Sequence, residues 1–154
     1  MTANEERDPW VYFVHGSTNG LWNSSVPIDG EKGKGDFGLG FYVFEDTSWG
    51  RQSASIWAHR KADDVGGVAI LVRVKIRRSA LMALDREDVS DDALVTTYNT
   101  MRGMRNTGRQ LIVGPVSRRG RDGRRVPDRS LPVQFKFEGS GVSHLVLDQI
   151  IPLR

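Results

Sequence analysis

The chain has no cysteine among its 154 residues. That excludes disulfide staples, thiolate zinc centres and a cysteine nucleophile, and it suits a reducing compartment. Histidine is nearly as scarce. His15, His59 and His144 are scattered, with no spacing that would gather them on one ion, so no metal is expected. No apolar run approaches the ~20 residues that a membrane-spanning helix needs, so no membrane partner is expected. The opening MTANEERDPW is acidic and polar and lacks the basic-then-apolar order of a secretion signal, which points to a cytoplasmic protein. Internal repeats are absent, and strands do not alternate regularly with helices as in a doubly wound sheet.

What is present fits one soluble globular domain over residues 1–154. Hydrophobic residues make up 38% and charged residues 27%, enough apolar surface for a single core. The net charge of +3 is unevenly spread. Residues 117–130, SRRGRDGRRVPDRS, hold six arginines against two aspartates, a local +4, so the remainder sums to −1. The basic character therefore belongs to one loop-like stretch, which suits phosphates, an acidic protein surface or simple solvation.

Strand signals dominate. WVYFVH (10–15), FYVF (41–44), VAILVRVKI (68–76), QLIVGPV (110–116), VQFKF (133–137) and SHLVLDQII (143–151) are β-branched, aromatic or alternating runs. Helical spacing appears from Asp46 to Lys61, where Trp49, Ile56 and Trp57 are expected to pack against the sheet. A second helix is expected from about Ser90 to Met104, and residues 17–40 read as a long loop. The pattern predicts a mixed α+β fold.

The stretch GKGDFGLGFYVFED (33–46) contains four glycines and four aromatics, too flexible for a helix and too aromatic for a linker. A strand follows it. Phosphate-binding glycine loops instead run from strand to loop to helix, and GEKGKGDFG lacks a G-K-[ST] ending, so those readings fail on context. What remains is a loop whose backbone approaches something closely, feeding a strand that presents Tyr42.

FVHGS on a first strand, DFGLGFYVF, a helix carrying SASIWAHRKA and a later IVGPV strand resemble the ADP-ribosyltransferase domains of the diphtheria-toxin type. Within that group the chain looks most like small bacterial domains with toxin or effector roles, and the resemblance runs from about Val11 to Pro152. It implies a split mixed β-sheet with a few flanking helices and an NAD cleft between the halves. It also implies a mono-ADP-ribosyltransferase that uses NAD as substrate. The nicotinamide–ribose bond would break through an oxocarbenium-like transition state, and ADP-ribose would pass to a protein or nucleic-acid acceptor.

By resemblance His15, Tyr42 and Gln134 would be catalytic. His15 would hold a ribose hydroxyl, the Gly16 backbone would bond the carboxamide, and Tyr42 would stack on the nicotinamide ring. Ser17, Phe37 and Gly40 would complete the NAD-binding set, and Asp36 fits the motif beside Phe37. Many such enzymes carry a glutamate on a late strand, where this chain reads QFKFEG. Alternation puts Gln134, Lys136 and Glu138 on one face and Phe135 and Phe137 on the other. Gln134 matches by motif and Glu138 is the nearest acid, roughly 13 Å along the strand. Gln134 is favoured, with Glu138 expected as a solvated strand end. A glutamine can bond a ribose but cannot take a proton.

Arg118, Arg119, Arg124 and Arg125 would form an acceptor-contacting loop. No aromatic lies within 117–130, which argues against stacking of single-stranded bases there. Two alternatives stay open: an NAD glycohydrolase, in which water replaces the acceptor, and a noncatalytic domain that binds through its arginine loop.

Overall fold

The computed structural model describes residues 7–22, 28, 33–101 and 107–153. The fold is mixed α+β, with ten strands and three α-helices among those residues. The chain divides into two compact units, one formed by residues 1–28, 43–84 and 143–154 and the other by 29–42 and 85–142.

The first unit is built on β1 (Trp10–Thr18) and β4 (Ala69–Arg77), which pair antiparallel along their whole length from Trp10↔Arg77 to Thr18↔Ala69. The C-terminal strand β10 (Val146–Pro152) lies on the other edge of β4, with a register shift between Leu147 and Gln149. Strand β3 (Gly38–Glu45) pairs β1 only at Phe13↔Glu45 and Val14↔Phe44. Phe13, Val72, Val74 and Ile76 form a buried face of this unit, and Val14 is buried on the other face.

Helix α1 (Ser48–Val65) starts at Thr47, whose hydroxyl accepts the Gly50 N–H at 3.0 Å, and stops at Gly66 with φ 84°. That stop needs the left-handed conformation glycine tolerates. The face α1 buries consists of Gly50, Ser53, Ala54 and Ala58. Trp49, Ile56 and Trp57, expected in the core, are instead exposed by 50%, 45% and 40%. The physical reason lies opposite the helix: β1 presents Gly16, and a Cβ there would stand 2.0 Å from the Ala54 carbonyl oxygen. Backbone packs against backbone, so only small residues fit the seam and the large ones turn out. The short helix α2 (Arg78–Ala83) follows β4 and buries no residue.

On the strand face that Gly16 shares, cations and aromatics stand toward the other end of β1 and β4. Arg77 stacks over Trp10 and Arg73 over Tyr12, each at 3.8 Å. Arg73 also bridges Asp46 (2.7 Å) and Asp148 (2.8 Å), and Arg51 joins at Asp46. The register shift at Asp148 thereby delivers a carboxylate to Arg73.

The second unit contains the hairpin β2 (Gly33–Gly35) with the start of β3, paired Gly33↔Gly40 to Gly35↔Gly38. Its other strands are β9 (Gln134–Phe137), β6 (Leu111–Gly114) and the short β5 (Arg86–Asp88). β9 is antiparallel to β6 and β6 is parallel to β5. Helix α3 (Asp91–Met101) opens with Asp91 and Asp92 where the helix dipole favours acids. It contributes Leu94 and Tyr98 to a cluster with Phe37 and Ile112. The expected extension of this helix to Met104 lies outside the described residues.

The arginine-rich stretch is not a loop. It forms a separate antiparallel ribbon, β7 (Ser117–Arg119) and β8 (Arg125–Pro127). The expected strand over 143–151 begins later, because Gly139–His144 make a turn of 3₁₀ helix first. None of the helices among the described residues is long and apolar enough to cross a membrane.

The Gly16 contact yields a direct test. Gly16→Ala should force α1 off β1 and lower stability by about 1–3 kcal/mol, as overpacking does. Chemical denaturation would measure this, and an unchanged midpoint would show that the helix yields freely.

Candidate functional site

In the first unit the chain direction of β1 fixes which backbone groups face which neighbour. The Tyr12 carbonyl accepts the Asp46 N–H on the β3 side, and the Asn19 N–H donates to the Val68 carbonyl on the β4 side. Alternation therefore aims the N–H and C=O of Gly16 toward the β3 side. The β1–β3 register covers Phe13 and Val14 and does not include Gly16. Its missing side chain serves the other direction, toward α1.

His15 and Gly16 are half-buried and Ser17 is 2% exposed. The His15 ring lies 5.9 Å from that of buried Trp22, tilted by 55°. Trp22 is held by its own N–H, donated to the Thr18 carbonyl at 2.9 Å.

In the second unit the glycine-rich motif folds into a hairpin turning at Asp36 and Phe37. Tyr42 locks this turn: its hydroxyl accepts the Phe37 N–H at 3.0 Å and donates to the Gly38 carbonyl. Gly38 has φ 85°, a conformation a side chain would strain. The Tyr42 ring lies against Gly35, where a Cβ would come within 2.7 Å of the ring carbon bearing the hydroxyl. Phe37, expected in the NAD-binding set, is fully buried and stacked near Tyr98 at 5.9 Å. Gly40 is buried because Lys136 crosses it, and a Cβ would stand 2.0 Å from Lys136 Cδ.

Two buried polar groups organise the rest of this unit. Asp36, 4% exposed, accepts the Ser117 N–H (2.8 Å), the Ser117 hydroxyl and the Gln134 amide (2.9 Å). The same Gln134 amide nitrogen also lies 3.3 Å from the Pro115 carbonyl, which accepts the Tyr98 hydroxyl at 2.6 Å. Burial, followed by the nearby Asp36 charge, pushes the Tyr98 phenol well above its ordinary pKa, so it stays a donor.

The second group corrects an expectation. Glu138 is not a solvated strand end but 2% exposed, and its carboxylate accepts Lys136 Nζ, the Thr107 hydroxyl (2.8 Å) and the Gly108 N–H (3.1 Å). Lys136 has no exposed surface and also donates to the Leu39 carbonyl at 3.1 Å. Burial is the largest influence on Glu138 and pushes its carboxyl up. Lys136, Thr107 and Gly108 together outweigh it and hold the pKa below the ordinary carboxylate range.

Gln134, favoured from its motif position, is 7% exposed with its amide nitrogen given to Asp36 and Pro115. An amide suits that place because an Asp36 carboxylate needs a donor, which an ionised glutamate is not. Of the four arginines expected to contact an acceptor, Arg125 is different. It is half-buried, with its guanidinium on the Ser117 hydroxyl (2.9 Å) and carbonyl (3.2 Å). Arg118, Arg119 and Arg124 are exposed.

Ser117 and Asn99 carry roles that sequence reading missed. The Asn99 side chain accepts the Arg125 N–H and donates to the Arg125 carbonyl, both at 3.1 Å, as another strand would. Nothing in the sequence around Asn99 signals this. The Lys136–Glu138 pair did carry a signal, two charges on one face of a strand whose other face is Phe135 and Phe137.

No protein-family model matches the chain, and no curated protein does either. The likeness to ADP-ribosyltransferases therefore rests on the motif residues themselves.

Two measurements follow. Glu138→Leu or Lys136→Met alone leaves a buried charge unmatched and should cost about 3–5 kcal/mol, whereas the double variant should recover most of that. Because the folded Glu138 carboxyl titrates below its unfolded value, its own contribution is present above the unfolded pKa and fades as pH falls through the folded one, while burial lowers the Lys136 pKa. Gln134→Glu should place two carboxylates together and destabilise the domain at neutral pH, with the deficit narrowing in acid as a shared proton relieves repulsion. Urea titrations from pH 4 to 8 would reveal either slope, and a flat profile would contradict the assignment.

Proposed function

We propose that the chain is an NAD-dependent mono-ADP-ribosyltransferase of the diphtheria-toxin type. The observation that carries this reading is the Gly16 backbone. A strand backbone offering one donor and one acceptor side by side matches the two complementary groups of a carboxamide. His15 precedes it on the same strand, where the resemblance assigns it the ribose, and Ser17 follows.

The motif turn supports the same reading from its own unit. Tyr42 is fixed through both its hydroxyl and its ring, so an aromatic surface is ordered before any ligand arrives. Preorganisation of this kind is how positioning lowers a barrier, by roughly 7–11 kcal/mol in the best intramolecular cases. NAD is a substrate in this scheme, and the chemistry calls for no metal.

One observation favours a second reading. Gln134 cannot accept a proton, and Glu138 is committed to Lys136. No acid on β9 is available to activate water or an acceptor, which suits a domain that binds NAD with slow turnover or none. A glycohydrolase would need that activation equally.

Calorimetric titration with NAD⁺ separates the readings, and release of labelled nicotinamide measures turnover. His15→Ala should lower nicotinamide release tenfold or more, about 1.4 kcal/mol of barrier, with the fold retained. Tyr42→Phe should weaken the motif turn and raise the NAD⁺ dissociation constant several-fold. Absence of NAD⁺ binding by the unaltered protein would remove the transferase and leave the scaffold.

A further inference from the structure

The ribbon β7–β8 carries charge in an arrangement that the NAD chemistry does not require. Its register sets Arg118 opposite Val126 and Arg119 opposite Arg125. Side chains alternate across a strand, so Arg118 and Arg119 point to opposite faces of the ribbon. Arg121 and Arg124 stand at the tip between the strands, both exposed.

Of these arginines, Arg118 feels the charge of Asp128. Asp122 turns inward to accept the Arg124 N–H at 3.0 Å, and Gly123 closes the tip with φ 81°. Asp128 caps Ser130 through its N–H (3.0 Å) and its hydroxyl. Among the described residues, no carboxylate pairs with Arg119, Arg121 or Arg124. Placing Arg119 directly opposite Arg125 is itself unfavourable, since like charges across a strand pair repel.

The ribbon is nonetheless held firmly at its base. Ser117 is bonded to Asp36 and Arg125, while Asn99 pairs the Arg125 backbone from α3. Fixed cations on both faces and at the tip do not suit a flat acidic protein surface, which one face would meet. They suit a groove with phosphates on both walls.

We infer that the β7–β8 ribbon is a docking element for duplex nucleic acid, inserting its tip into a groove and contacting phosphates with Arg118, Arg119, Arg121 and Arg124. A B-form major groove, about 12 Å wide, admits a two-stranded ribbon. Arginine suits phosphate because its planar fork donates two parallel hydrogen bonds. The ribbon lacks aromatic side chains on which unpaired bases could stack, so duplex is preferred to single strand. If the proposed transferase reading holds, duplex nucleic acid becomes its acceptor class. The docking itself needs no NAD.

The test is fluorescence anisotropy with a labelled 20-base-pair DNA of arbitrary sequence, in the absence of NAD⁺. Four phosphate contacts, each contributing a slope of about −0.9, should weaken binding roughly 100-fold between 50 and 200 mM salt. Replacing Arg118, Arg119, Arg121 and Arg124 together by glutamine, with Arg125 kept, should abolish most of that dependence. Lysine at the same four positions should retain binding within several-fold. Thermal unfolding and NAD⁺ titration of the glutamine variant should match the unaltered protein, so failure here would be distinct from failure of the NAD reading. The inference is overturned if the unaltered protein does not bind the duplex, or binds single-stranded DNA of equal length as well or better. It is overturned equally if polyglutamate binds where DNA does not, which would mark the ribbon as a protein contact.

Discussion

A carboxylate removed from water must be given donors, and Asp36 receives three: the backbone and hydroxyl of Ser117 and the side-chain amide of Gln134. Those donors belong to separate stretches of chain. Asp36 sits in the motif turn, Ser117 begins the arginine ribbon, and Gln134 begins β9. One buried charge thus fixes the relative placement of three segments that are 81 and 98 residues apart in sequence. Satisfied networks of this kind specify a unique arrangement, because any slip leaves a buried acceptor unmet at a cost of about 1–3 kcal/mol or more. Tyr98 and Pro115 extend the same network toward α3.

Close approach is the second constraint, and it explains the glycines better than flexibility does. Gly35 accommodates the Tyr42 ring, Gly40 the Lys136 stem, Gly114 the Phe37 ring and Gly16 the α1 backbone. In each case a Cβ would meet a heavy atom within 2.8 Å. The glycine-rich motif is therefore an ordered packing surface. Its glycines exist so that larger side chains can lie against the backbone, which is why they neighbour aromatics in the sequence.

This distinction also marks how far the sequence could be read. Six strands announce themselves through β-branched and aromatic runs, and α1 through its cap and spacing, because those signals are local. The orientation of α1 was not local. Its apolar stripe of Trp49, Ile56 and Trp57 suggested a buried face, but the seam was decided by Gly16, more than thirty positions earlier. The ribbon was hidden for a related reason: its strands are three residues each and rich in arginine, with neither β-branched runs nor alternation. What fixes it, Asn99 and Asp36, lies outside it. Within the candidate site, the motif position singled out Gln134 but gave no sign that its amide is bonded to buried Asp36. The burial of Glu138 was missed although a signal was present, a lysine two residues earlier on the same strand face.

Asp36 also makes the ribbon and Gln134 mechanically inseparable within their unit. Ser117 is the first residue of β7 and takes two of the carboxylate's hydrogen bonds, while Gln134 takes a third. A ligand that displaced the root of the ribbon would have to stretch bonds to Asp36, and the Gln134 amide would lose or follow its acceptor. Linkage then runs both ways: whatever stabilises Gln134 on Asp36 must stabilise the ribbon root by the same coupling energy. Arg125 strengthens the tie, because its guanidinium grips the hydroxyl that donates to Asp36. The arginines at the tip gain positional precision from this, since a cation on a braced ribbon loses less freedom on meeting a phosphate than one on a loop. The stiffness of the ribbon and the placement of Gln134 thus depend on the same carboxylate.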